Sequence, residues 1–159
     1  MTLEMRYGNS ESREPLHYNW CGLDDVYLVS GYDLVPTEDG DDISIHDLDG
    51  LHRAIGKTLA RHKKSLVGKE VRFLRKQMDL TQSELGGLMG VTDQTVARWE
   101  KDETGVDGPA DVVIRGLYLA CVVKNIDLRE FLVALRATDS SLRSNLVFEE
   151  TDAGWKEAA

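Results

Sequence analysis

Apolar residues recur at steps of three and four from Leu48 onward, with Leu48, Leu51, Ile55 and Leu59 on one face, and this spacing predicts a helix over about Asp47–Arg61. Asp47 and Asp49 suit the positive end of its dipole, and Arg61, Lys63 and Lys64 the negative end. A second helix is expected in GKEVRFLRKQM, where Val71, Leu74 and Met78 share a face and Phe73 lies beside it. Thr81 and Glu84 have the spacing of a capping box that opens a third helix through Met89, and Gly90 supplies the left-handed residue of a tight turn. Thr92 caps a fourth helix, Asp93 to about Lys101, in which Val96 and Trp99 point inward. Pro109 suits the first turn of a fifth, Ala110–Lys124, which is apolar on nearly every side and is therefore expected to be buried on both. Asp127 caps a sixth that reaches about Arg136.

Before Leu48 the texture is different. VYLVSGYDLV predicts a strand, a turn at Gly31 and a second strand, and ISI at Ile43–Ile45 a third, so a small antiparallel sheet is expected. PTEDGDD, Pro36–Asp42, is an acidic turn between strands. VYLV is too apolar to stay solvated, so these strands are expected to pack on the helices through Val26, Leu28 and Ile43. The C-terminal NLVFEETDAGWKEAA reads as a strand, a turn at Asp152–Gly154 and a short return strand. The chain is thus expected to be mainly α, with five to six helices, a small antiparallel β appendage at the N-terminus and a C-terminal hairpin. Its expected divisions are a mobile tail over 1–14, an acidic β-rich segment over 15–46, a helical domain over 47–136 and a tail over 137–159.

Charge is strongly segregated. The 159 residues carry a formal net charge of −9, which by itself argues against a polyanionic partner. Residues 1–50, however, hold two basic against twelve acidic side chains, a net −10, whereas residues 51–101 hold eleven against five, a net +6. Residues 102–159 return to −5. The positive charge coincides with the second, third and fourth helices, which is the electrostatic footprint of a nucleic-acid module. No apolar run approaches the length of a membrane span, and the polar MTLEMRYGNSESREP lacks the order of a signal peptide, so no membrane partner and a cytoplasmic location are expected. Cys21 and Cys121, a hundred residues apart, give no disulfide framework. Both are expected to be free, with Cys121 packed as a small hydrophobe.

Two short helices joined by a glycine turn, flanked by one helix on each side, resemble the helix-turn-helix domain of the lambda-repressor/Cro (XRE) family. The likeness spans roughly residues 68–124 and rests on Gln82, Gly86, Gly90, Val91, Val96 and Trp99-Glu100. Gly86-Gly87 departs from the family, which more often has Ala or a longer side chain there. The wider context SIHDLDGLHRAIG…LVGKEVRFLRKQMDLTQ is also similar to MqsA-type antitoxin regulators, but the two C-x-x-C knuckles of that group are missing. His17, Cys21, His46 and His52 are scattered over strands and a helix, so no metal and no cofactor is assigned.

The resemblance implies that the Asp93–Lys101 helix enters the major groove of double-stranded DNA, with Thr92, Asp93, Gln94, Thr95, Arg98 and Lys101 on its DNA side. Gln94 suits adenine and Arg98 guanine, because each presents two groups that match those base edges. Gln82 and Arg72 or Arg75 would hold phosphate, although the family pattern also implies an internal Arg75–Glu100 pair. Asp93 is repelled by phosphate unless it accepts from a cytosine amino group or serves the helix terminus. A lone recognition helix reads few bases, so a homodimeric repressor on a palindromic operator is expected, with half-sites ~34 Å apart. The alternative is an antitoxin whose acidic N-terminal segment holds a toxin. No nucleophile motif, phosphate loop or framed carboxylate pair supports an enzyme.

Overall fold

The computed structural model describes residues 14–62, 65–137 and 145–158, so most of the expected tail, Lys63-Lys64 and residues 138–144 lie outside it. Six α-helices follow the apolar spacing: α1 Leu48–His62, α2 Gly68–Gln77, α3 Gln82–Met89, α4 Asp93–Glu100, α5 Gly108–Tyr118 and α6 Leu128–Ala137. Leu51, Ile55 and Leu59 of α1 are fully buried, as are Val71 and Leu74 of α2, Leu85 of α3, Val96 of α4 and Ile114 of α5. The expected Asp127 cap forms, accepting from the Glu130 amide at 2.9 Å, and Asp107, which the sequence alone did not single out, caps α5 by accepting from the Ala110 amide at 2.8 Å. The fifth helix departs from expectation. Its α geometry ends at Tyr118 and widens into a π turn over Leu119–Val123, where the Lys124 amide bonds the Leu119 carbonyl at 2.9 Å. Nor is it buried all round, because the fold covers only the face of Ile114, Arg115, Tyr118 and Leu119 and leaves Val113, Ala120 and Cys121 exposed. Both cysteines are free, but Cys121 lies on the surface rather than in the core.

The strands form two sheets instead of one. β1 Leu16–His17, β2 Val26–Leu28, β5 Leu146–Thr151 and β6 Gly154–Glu157 make a four-stranded sheet in the order β1-β2-β5-β6. β2 runs parallel to β5, with Val26 opposite Leu146 and Leu28 opposite Phe148, so segments 120 residues apart share one sheet. β3 Tyr32–Thr37 and β4 Gly40–Ile45 form a separate antiparallel hairpin. The break falls at Gly31, where φ is +83° and a Cβ would lie 2.2 Å from the Trp155 ring. Only glycine allows that conformation and that approach at once. Of the three expected anchors, Val26 and Leu28 are fully buried, whereas Ile43, on the hairpin, is only half-buried.

Two polar junctions tie these parts together. Arg115 on α5 is wholly buried; it pairs with Asp111 one turn back and donates to the Leu59 carbonyl of α1 at 2.7 Å. The other oxygen of Asp111 accepts from the Leu66 amide at 2.7 Å, which fixes the α1–α2 connection. At the hairpin base the His46 ring lies between two carboxylates, Nε2 2.8 Å from Asp33 and Nδ1 2.8 Å from Glu150 of β5, and the imidazolium donates to both. Its carbonyl accepts from the Trp155 indole at 2.8 Å.

The hydrogen bond to Asp33 raises the His46 pKa above its ordinary 6.5; burial works against it, and the bond to Glu150 adds to the rise. A raised folded-state pKa makes this bridge contribute in full below the ordinary imidazole value and lose its contribution as pH rises through the folded one. His46→Gln is therefore expected to lower the melting midpoint more at about pH 5.5 than at about pH 8.5. An equal deficit at both values would show that the imidazolium is not the bridging species.

Candidate nucleic-acid interface

The third and fourth helices are set by local capping. Thr81 Oγ1 accepts from the Glu84 amide at 3.0 Å while Glu84 accepts from the Thr81 amide at 3.1 Å, which is the reciprocal box expected from the spacing. Gly90 closes α3 at φ +74°. Thr92 Oγ1 accepts from the Thr95 amide at 3.1 Å and lies 3.0 Å from the Thr95 hydroxyl. Asp93 accepts from the Gln94 amide at 2.9 Å, so its carboxylate serves the positive end of α4.

The two glycines of α3 have different surroundings. A Cβ on Gly86 would lie 2.7 Å from the Val91 carbonyl oxygen, whereas one on Gly87 would meet nothing within 4 Å. Gly86 thus permits the close crossing of α3 with the turn, and Gly87 only weakens the helix.

Val96 and Trp99 point inward, with Trp99 4% exposed, which leaves the opposite face of α4 to solvent. Gln94, Arg98 and Lys101 recur at steps of four and three on that face and are exposed, with Asp93 and Thr92 at its N-terminal end. Thr95 is half-buried.

What holds α4 in place is a buried charge cluster. Arg75 of α2 donates through Nε to Glu100 Oε2 at 2.6 Å and through an Nη to Oε1 at 2.9 Å, and its other Nη donates to the Leu80 carbonyl at 2.9 Å. Arg75 is therefore a clamp between α2 and α4: it is 8% exposed, and each of its three nitrogens donates within the chain. Gln82 adds an amide bond to Glu100 Oε1 at 3.1 Å and is half-buried, so its side chain leans on the same carboxylate. Arg72 points outward and is exposed, as is Lys76, a cation that motif position alone did not single out. Gly68 was also missed: a Cβ there would lie 2.5 Å from the Trp99 and Glu100 carbonyl oxygens, and its amide donates to Asp102 at 2.8 Å. A glycine opening a helix carries no local signal that another helix end rests on it.

The four residues weighed for metal are dispersed. His17 bonds the Asp24 carbonyl at 2.7 Å, His52 the Tyr18 hydroxyl at 2.8 Å, and His46 bridges Asp33 and Glu150. Burial pushes the Cys21 thiol pKa up, away from the thiolate a metal requires. Among the described residues no group of three or more His, Cys, Asp or Glu is placed to hold a metal ion, and no helix is long and apolar enough to cross a membrane.

Residues 71–109 match the family model described as helix-turn-helix, HTH_3. No curated protein and no solved structure matches the chain. The match leaves out SIHDLDGLHRAIG, on which the MqsA-type likeness also rested, and that likeness is not confirmed. The matched span runs from α2 to the first turn of α5 and contains the capped pair α3–α4 with its buried clamp; over these residues the chain is similar to the XRE, lambda-repressor/Cro-like helix-turn-helix family, a family of DNA-binding regulators.

Proposed function

We propose that the protein is a sequence-specific transcriptional repressor that binds a palindromic operator as a homodimer. The observation that carries this reading is the exposed row Gln94, Arg98 and Lys101 on a helix whose inner face is immobilised by Val96, Trp99 and the Arg75–Glu100 clamp. A rigid helix with long hydrogen-bonding side chains on its free face is suited to reading base edges. Arg98 supplies two parallel donors for guanine, Gln94 a donor and an acceptor for adenine, and Lys101, Arg72 and Lys76 charge for phosphate. Thr92, Thr95 and Asp93 set the N-terminal end of the helix against the duplex, with Asp93 disfavouring some sequences by repulsion. Gln82 reaches phosphate by exchanging its bond to Glu100.

Dimerisation is supported by apolar surface that one chain leaves uncovered: Val113 on α5 and Leu128, Leu132 and Val133 on α6 are exposed. The repressor reading is favoured over the antitoxin one by the β2–β5 pairing, which makes the N-terminal strands part of the regulator's own sheet.

Arg98→Ala is expected to cost about 1–3 kcal/mol of binding to the preferred site and to relax one base position in each half-site. Selection of bound duplexes from a random pool, for wild type and variant, measures both. An unchanged consensus and affinity would remove Arg98 from the interface, and a consensus without two-fold symmetry would remove the palindromic dimer.

A further inference from the structure

The positive charge of residues 51–101 lies on two separate faces. Arg72, Lys76, Arg98 and Lys101 are exposed on the motif helices, whereas Arg53, Lys57 and Arg61 form a row at four-residue steps on α1. At 100° per residue this row is centred roughly opposite the buried stripe of Leu51, Ile55 and Leu59. α2 packs on a different side of α1, where the Phe73 ring meets His52 at 5.8 Å between centroids. The row is thus turned away from α2 and from the α4 helix packed on it. It borders a groove of about 370 Å³ between α1 and β6, walled also by Thr58, Trp155 and Lys156, in which the basic side chains outnumber the two acidic ones, Asp47 and Glu157. Binding of DNA on α4 leaves this second positive face unexplained.

The β3–β4 hairpin has the opposite character. Its outer part carries Glu38, Asp39, Asp41 and Asp42, all exposed, and no basic residue lies between Tyr32 and Ile45. Tyr32 and Ile45 at the base of the arm pack against the core, whereas Val35 further out is 46% exposed. The outer part of a two-stranded ribbon is marginal in water, and like charges crowded on it make it more so. Six-residue strands give it a reach of about 20 Å. Among the described residues, none of the four carboxylates, nor the Arg53 or Lys57 side chain, takes part in an ion pair within the chain.

We propose that this arm docks into the α1–β6 groove of a second copy of the chain, its carboxylates against Arg53 and Lys57. In a two-fold pair each copy gives one arm and receives one, so the contact closes on itself. The base of the arm is fixed in its own chain by His46, whose amide donates to the Gly31 carbonyl at 2.9 Å and whose ring holds Asp33, and among the described residues the outer carboxylates do not pair with Arg53 or Lys57 of the same chain. The inference rests on the homodimer reading and gives that dimer a charged, salt-sensitive contact.

Charge exchange tests it. One variant carries Arg53→Glu and Lys57→Glu, the other Glu38→Lys and Asp41→Lys; all four positions are exposed, and circular dichroism verifies that both variants are folded. Sedimentation equilibrium is expected to show each variant self-associating at least about tenfold more weakly than wild type, because like charges then meet across both contacts. An equimolar mixture, in which each acidic face again meets a basic one, is expected to regain a dimer close to wild type. Dimers of undiminished strength for both variants, or no recovery on mixing, would overturn the arm exchange while leaving a homodimer in place. A monomeric wild type would overturn the homodimer and the arm together. Loss of DNA affinity by the α1 variant at unchanged mass would assign the row to phosphate and also overturn the proposal.

Discussion

Arg115→Ala is expected to lower the folding stability by about 3–5 kcal/mol, a large share of what a domain of this size possesses. The guanidinium is wholly inaccessible to solvent. Removing it leaves the Asp111 carboxylate as an uncompensated buried charge and the Leu59 carbonyl without its side-chain donor. Deleting the acid instead leaves the arginine without its carboxylate and the Leu66 amide without its acceptor. A double replacement such as Asp111→Leu with Arg115→Met removes both charges, and in many proteins such an apolar exchange is close to neutral. Here it should remain destabilising, because both backbone groups lose a partner at about 1–3 kcal/mol for each one left unsatisfied. Urea melts of the three variants check the ordering. A double variant as stable as wild type would show that the pair contributes nothing beyond shape, and an Arg115→Ala midpoint within error of wild type would show that the cavity admits water.

That junction marks where the sequence stops being legible. The helices are readable because each is specified within its own span: Leu51, Ile55 and Leu59 repeat with the helical period, Thr81 and Glu84 cap each other, and Gly90 ends α3 in the left-handed region. The inward phase of Val96 and Trp99 follows from the same arithmetic, so the outward row Gln94, Arg98 and Lys101 could be named before the fold was known. What joins distant segments has no such signature. Nothing in VYL near residue 27 indicates that it will lie parallel to LVF near residue 147, since a three-residue strand suits any edge with compatible register. Gly31 read as a turn between paired strands, and it is instead the place where the chain leaves one sheet for a separate hairpin, because the Trp155 ring, supplied from the far end of the chain, occupies the space beside it. Asp111 and Arg115 have the i, i+4 spacing of an ordinary surface pair. Their burial depends on the Leu59 carbonyl and the Leu66 amide meeting α5, which only the tertiary fold brings about.

Arg75 shows how the same distinction governs the interface. Sequence position placed it among phosphate ligands, and the competing internal pair with Glu100 depends on α2 and the end of α4 being in contact. In the folded chain the side chains of that pair are 10% and 5% exposed, and Glu100 also receives the Gln82 amide. Glu100→Ala is accordingly expected to cost about 3–5 kcal/mol of stability, since it leaves the Arg75 guanidinium buried beside no carboxylate. It should also loosen α4 at its C-terminal end, where Arg98 and Lys101 sit, and thereby weaken binding to every duplex. Arg98→Ala is expected to do the opposite on both counts: an exposed side chain leaves the melting midpoint within about 0.5 kcal/mol of wild type while changing which sequence is preferred. Thermal melts together with titrations of the preferred operator and one mismatched operator separate the two variants. If Glu100→Ala melts like wild type, the clamp is not what holds α4. If it melts low but loses discrimination between the two operators rather than affinity for both, Glu100 orients Arg98 against its base and does not merely anchor the helix that carries it.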